Sequence, residues 1–255
     1  MTGEFTIVRA GERARLAAAI VDGRSADYVT IRAVTALSEA AHDRIARLTG
    51  MGRQFAVDVR RRVREAGACA LLGDEPSLAE RILETATHQI VQPGREFTMR
   101  TVSDETGIPR RTLYNAYPSS TDLLDACRRR AQTIWRARFE QRVLAPQSGA
   151  LRVLAVVDAI EAWVGSERFH HDQALRARAS FAKDLRDDDL RDHLAEVDRF
   201  ATALAADAGL CAPAEFGAFV ATLVAGATGW FDRPGAARAA SVAIVERFIV
   251  GAQPR

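Results

Sequence analysis

Lysine is almost absent from this chain. Lys183 is the single one among 35 basic residues, and all the others are arginine. We read that as compositional bias before reading it as function. Cysteine is scarce too. Cys69, Cys127 and Cys211 lie far apart, with no CxxC pair and no dense framework. That spacing signals neither a zinc site nor a disulfide scaffold, and it suits a reducing cytoplasm. Long hydrophobic runs are missing as well. No charge-free window is long enough to span a bilayer. The nearest approach, residues 216–231, reads as a buried helix. The opening "MTGEFTIVRAGERAR" carries charges where a signal peptide needs an apolar core. No internal repeat or low-complexity tract is visible. No carboxylate pair is matched to a nucleophile or a phosphate loop, so no catalytic residues, cofactor or metal are expected.

Strand-like alternation is also rare. Only "EFTIV" (4–8) and "ACALL" (68–72) suggest short strands, and almost every other segment shows helical spacing. The fold class expected is therefore all-α. The formal net charge of the 255 residues is only +2, but it is unevenly placed. Residues 31–66 carry eight arginines against four acids, whereas residues 143–255 carry twelve bases against fifteen acids. A basic front and an acidic back fit a chain whose first part meets a polyanion.

The densest information lies between residues 77 and 125. Ser77 with Glu80 forms a capping box, and Leu78, Ile82, Leu83, Ala86 and Ile90 make one apolar stripe. Thr98 caps a second helix running to Thr106. Gly107 supplies a residue that leaves helical geometry without steric penalty. Pro109 suits the first turn of a third helix, over 109–117, because its missing N–H has no partner there anyway. Ser119 with Asp122 opens a fourth. At about 100° per residue, Pro109, Leu113, Ala116 and Tyr117 fall on one side of the third helix, and Arg110, Arg111, Tyr114 and Asn115 on the other. Arginine can read guanine and asparagine can read adenine in the major groove, and a tight helix–turn–helix holds out such a face.

These residues carry a family resemblance. The stretch "ILETATHQIV…EFTMRTVSDETGIPRRTLYNAYPSSTDLLDA" resembles the DNA-binding domain of TetR-type transcriptional regulators. Thr98, Val102, Thr106, Gly107, Ile108, Thr112, Leu113, Tyr114, Tyr117, Pro118 and Ser119 match in order. Ser103, Pro109, Arg111 and Ser120 depart from the usual Ala, Ser, Gly and Lys. The resemblance implies a DNA-facing set of Thr98, Arg110, Arg111, Thr112, Tyr114, Asn115, Tyr117 and Ser120. It also implies a cytoplasmic homodimer on a palindromic double-stranded operator, half-sites on the order of 34–36 Å apart or a multiple of that. The regulator expected is a repressor released by a small-molecule effector. A competing reading is a helical small-molecule-binding or protein-interaction protein with a vestigial head.

Three modules follow: an N-terminal helical module over 1–72, the DNA-binding head over 77–125, and an effector-binding and dimerisation domain over 126–255. In the last, the effector-pocket candidates are Trp163, Phe169, His170, His171, Phe181, Phe200, Trp230 and Phe231, with core packing as the alternative for each. His170 and His171 point about 100° apart on one helix, so they do not form a chelating pair. Small residues at Gly217, Ala221, Ala225 and Gly229, and at Ala236, Ala239, Ala240 and Ala243, allow close helix approach. The resemblance makes them a dimer interface; packing within one subunit competes. The N-terminal module poses its own question. Residues 41–67 look like a second helix–turn–helix, with Arg53, Gln54, Arg60, Arg61 and Arg64 as its polar surface. Three readings stay open: a second DNA reader, a degenerate module used for packing or dimer contacts, and a plain helical extension.

Overall fold

The computed structural model describes residues 10–21, 27–72, 75–146, 148–180, 188–227 and 234–251. The chain is all-α: fourteen helices and no strand occur among the described residues. "EFTIV" lies outside them. "ACALL" is a correction, because Cys69–Leu72 is a helical turn. A short apolar run cannot be assigned by periodicity alone, and here burial of Ala68 and Leu71 beneath neighbouring helices decides it. None of the described helices is long and apolar enough to cross a membrane.

The residues divide into two compact units, the first drawn from 1–138 and 170–185, the second from 139–169 and 186–255. The first unit begins with α1 (Ala10–Val21), α2 (Asp27–Leu37), α3 (His42–Thr49), α4 (Arg53–Ala66) and α5 (Cys69–Leu72). It continues with α6 (Leu78–Val91), α7 (Met99–Thr106), α8 (Arg110–Ala116) and the first part of α9 (Ser120–Leu144). The described part of 170–185 belongs to α11 (Glu167–Ser180). One buried cluster joins Leu16, Ile20, Ala33, Val59, Val63 and Leu71. A second joins Ile82, Leu83, Val102, Ile108, Leu113 and Leu123, and it takes in Ile31 and Met51 from the N-terminal block. Phe55 packs against both.

A buried ion pair fastens the two blocks. Arg32 Nε and Nη2 each donate to a different oxygen of Glu80 at 2.8 Å, and Glu80 is fully buried. Arg32 also donates to the carbonyls of Leu71 and Glu75, and its guanidinium lies 5.0 Å from the centre of the Tyr28 ring. Glu80 in turn accepts the Ser77 N–H, so the expected capping box of α6 doubles as the anchor of the clamp. A planar fork on a carboxylate is the geometry that makes such a pair tolerable away from water. Residues 1–72 and 77–125, expected as separate modules, thus lie together in one unit, and the break at 73–76 does not divide it.

The second unit holds α10 (Gly149–Val164), α12 (Asp188–Asp207), α13 (Pro213–Ala225) and α14 (Pro234–Gly251). Ser148 caps α10 by accepting the Leu151 N–H, and Pro213 opens α13. Helices α12 and α13 pack most extensively. Gly217 is the reason they approach so closely: a Cβ there would collide with Thr202 and Asp198 of α12, meeting the Asp198 carbonyl at 2.7 Å. This corrects the assignment of Gly217 to a dimer interface, because its face is already covered within the chain. Ala221 is half-buried and Ala225 exposed, as expected when every fourth residue drifts about 40° around the helix. Gly229 and the side chains of Ala236, Ala239 and Ala240 lie outside the described residues, while Ala243 is exposed on α14.

Candidate nucleic-acid interface

α6 positions α7 through a polar latch. Gln89, fully buried, donates to Glu105 at 2.8 Å and accepts from Thr101 at 2.8 Å. Thr98 caps α7: its Oγ1 accepts the Thr101 N–H at 3.1 Å, and Thr101 Oγ1 accepts the Thr98 N–H at 3.0 Å. About the first four N–H groups of a helix lack intrahelical partners, so this reciprocal pair fixes where α7 begins.

The turn between α7 and α8 is built from three residues. Thr106 Oγ1 donates back to the Val102 carbonyl at 2.7 Å and accepts the Ile108 N–H at 3.3 Å. Gly107 between them has φ +69°, the left-handed region where glycine carries no steric penalty. Ser103, one of the departures from the family pattern, donates to the Ile108 carbonyl at 2.7 Å and ties α7 to the far side of the turn.

α8 is seven residues long and cannot be stable alone. It is held by Leu113, fully buried, with Ile108 before it and Tyr117 after it. Burying side chains of this size contributes roughly 1.5–3 kcal/mol each, enough to pin so short an element. Everything else on α8 faces away from the core. Arg110, Arg111, Tyr114 and Asn115 are exposed, Tyr114 by 49%, and Thr112 is half-buried. An aromatic ring left half in water beside two guanidiniums and an amide gains little for stability, so its placement suits contact with something else. Ser120 is exposed in the first turn of α9, and Ser119 accepts the Asp122 N–H there.

Two expectations for α8 are corrected. Ala116 and Pro109 are exposed rather than core-facing, because the buried strip of so short a helix narrows to Leu113. Tyr117 does not belong to the DNA-facing set. It is 7% exposed, its ring lies in the core, and its hydroxyl donates to the Gly50 carbonyl at 3.3 Å. Burial pushes its phenol far above the ordinary range. Cys127 beneath it is fully buried, its thiol pushed up to about 11 by desolvation, and so is inert rather than reactive.

In the N-terminal block α3 and α4 are joined by a turn of related construction. Thr49 Oγ1 donates to the Ile45 carbonyl at 2.8 Å and accepts the Met51 N–H at 3.3 Å, and Gly50 has φ +68°. The turn repeats the two threonine bonds of that at Thr106–Ile108 and lacks the Ser103 bond. Of its polar candidates, Arg53, Gln54, Arg61 and Arg64 are exposed on α4. Arg60 is the exception and is corrected. It is 5% exposed, and its guanidinium donates to the carbonyls of Thr35, Ser38 and Ala40, closing the C-terminal end of α2. His42, at the start of α3, is held below its ordinary range by burial and then by Arg60 and Arg53, with Asp43 opposing and Arg64 adding. No protein-family model, curated protein or solved structure matches the chain.

Among the described residues, the aromatic effector-pocket candidates are engaged in pairwise packing. In the second unit Trp163 and Phe169 meet edge to face at 5.0 Å, both buried, and Phe200 meets Phe139 in the same way at 5.9 Å. These are packing contacts. His170 is exposed and His171 half-buried. Phe181, Trp230 and Phe231 lie outside the described residues. The sequence reading missed an aromatic group formed by Phe216, Phe219 and Phe248, with Phe216 and Phe248 edge to face at 5.5 Å. Its signal was the third-residue spacing of Phe216 and Phe219 on one helix.

Proposed function

We propose that the chain is a sequence-specific DNA-binding transcriptional regulator, a TetR-like repressor acting as a homodimer, with α8 as the recognition helix. One observation carries this reading: α8 buries only Leu113 and turns Arg110, Arg111, Tyr114 and Asn115 outward from a pinned turn. Arg111 and Arg110 can fork onto guanine edges, Asn115 onto adenine, and Tyr114 can meet a phosphate or a thymine methyl. Thr98, in its cap position at the start of α7, suits a backbone contact that sets register. Release by an effector in the C-terminal helices would work by population shift, an effector favouring a spacing of the two heads that misfits the operator.

The test is Tyr114→Ala on the full chain. Its exposed position predicts an unchanged thermal midpoint and a loss of operator affinity of at least about tenfold, the scale of one or more base-edge contacts. Equal affinity of the variant and the parent for a duplex selected from random sequence removes α8 from the interface.

A further inference from the structure

α4 is the helix that the repeated turn presents, and the function proposed for α8 leaves it unused. Its buried arc is formed by Ala56, Val59, Arg60 and Val63. On the remaining surface Arg53 and Arg64 fall within about 20° of each other at about 100° per residue. They are separated by about 16 Å along the axis, so they would meet two different phosphates rather than one. Asp58 and Glu65 project from another part of that surface, where they pair with Arg61 at 3.2 and 3.4 Å. The edge carrying Arg53 and Arg64 therefore has no acid of α4 within it. Arg53 does pair with Asp43 of α3 at 3.1 Å, but both side chains are about two-thirds or more exposed. Such a pair holds its arginine weakly and yields to a phosphate. Residues 42–66 carry seven arginines against three acids.

The second observation is position. Tyr117 ends α8, and its hydroxyl donates to Gly50, in the turn that leads into α4. One tyrosine side chain thus joins the end of the proposed recognition helix to the start of α4. Phe55, in the first turn of α4, packs into the same core that holds Leu113. Thr133 of α9 donates to the Leu48 carbonyl, fixing the end of α3 in the same place. The turn into α4 is closed from behind by the α9 backbone, where a Cβ on Gly50 would collide with Ala126, so α4 is held in a fixed place beside α8.

We infer that Arg53 and Arg64 on α4 form a second contact with the same DNA, gripping the phosphate backbone that flanks the segment read by α8. This rests on α8 being the recognition helix. The contact adds affinity and footprint length and carries no base preference, because phosphates carry no sequence information.

The experiment uses the full chain and a duplex that it selects from a random-sequence pool. Arg53→Gln/Arg64→Gln is compared with the parent and with Tyr114→Ala. Both arginines are exposed, so the double variant should melt as the parent does. Its selected sequence should be unchanged, and hydroxyl-radical protection should be lost on the flank only. The slope of log affinity against log salt should fall by about 3.6 for the bound dimer, from two phosphates per subunit at about 0.9 each. Arg53→Lys/Arg64→Lys should restore slope and flank, since a lysine supplies the charge without the fork. A slope and footprint equal to the parent's overturn the inference and leave α8 standing. A parent chain that selects no sequence at all overturns both.

Discussion

The turn at Thr49–Met51 and the turn at Thr106–Ile108 are the same object in two settings. Each is a threonine that bonds backward to a carbonyl and forward to an amide, around a glycine in the left-handed region. The settings differ. A Cβ at Gly50 would strike the backbone of Ala126, with the Ala126 Cα and carbonyl carbon at 3.0 Å, whereas a Cβ at Gly107 meets nothing within 4 Å. Thr49 and Met51 are buried, while Thr106 is half-buried. Met51 and Ile108 both reach the same core, but the glycine of the first turn is packed against α9 while that of the second is open. Local sequence builds the turn, and the surroundings decide whether it can serve a partner.

The comparison breaks most severely if the two blocks are pulled apart. Arg32→Met leaves Glu80 buried without its cation and should cost about 3–5 kcal/mol, read as a lower denaturation midpoint of the first unit in urea. The double variant Arg32→Met/Glu80→Gln should recover part of that loss. A single variant as stable as the parent shows that the clamp does not hold the blocks together.

The glycines give the next effect. Gly50→Ala combines the left-handed penalty of roughly 1–2 kcal/mol with a backbone collision of the kind that costs about 1–3 kcal/mol. Gly107→Ala should carry the first term alone. Equal losses in the two variants mean that the first turn is not docked on α9. The threonines sharpen the same point at smaller scale. Thr49→Val strands the amide of a buried residue and should cost about 1–3 kcal/mol. Thr106→Val also strands the amide of a buried residue, Ile108, but should cost less, because Thr106 itself is half-buried and water can reach the bond.

Much of the local structure of residues 77–125 was legible in the sequence. Ser77 and Thr98 cap where their side-chain oxygens and spacing say they must, and Gly107 turns the chain where a left-handed residue was needed. These are local signals, complete within four or five residues. What was illegible depended on partners distant in sequence. Arg60 counts with the polar surface by its residue type, yet it lies on the buried arc of α4, where three carbonyls around the end of α2 receive it. Tyr117 sits in a motif that points to DNA, but its acceptor, the Gly50 carbonyl, lies 67 residues away in the chain. Gly217 looked available for a second subunit until α12 covered it. In each case the local pattern could not say which distant segment lay against the residue.

The account rests on α8 turning an unshared polar face toward duplex DNA. Selection of bound duplexes from a random pool by the full chain, run in parallel with Arg111→Ala, tests this most directly. We expect one enriched two-fold symmetric site for the parent, and for the variant the same site with preference relaxed at one base pair in each half, a difference of about 1–3 kcal/mol there. A pool that emerges unenriched, or a variant whose preferred site matches the parent's at every position, contradicts it.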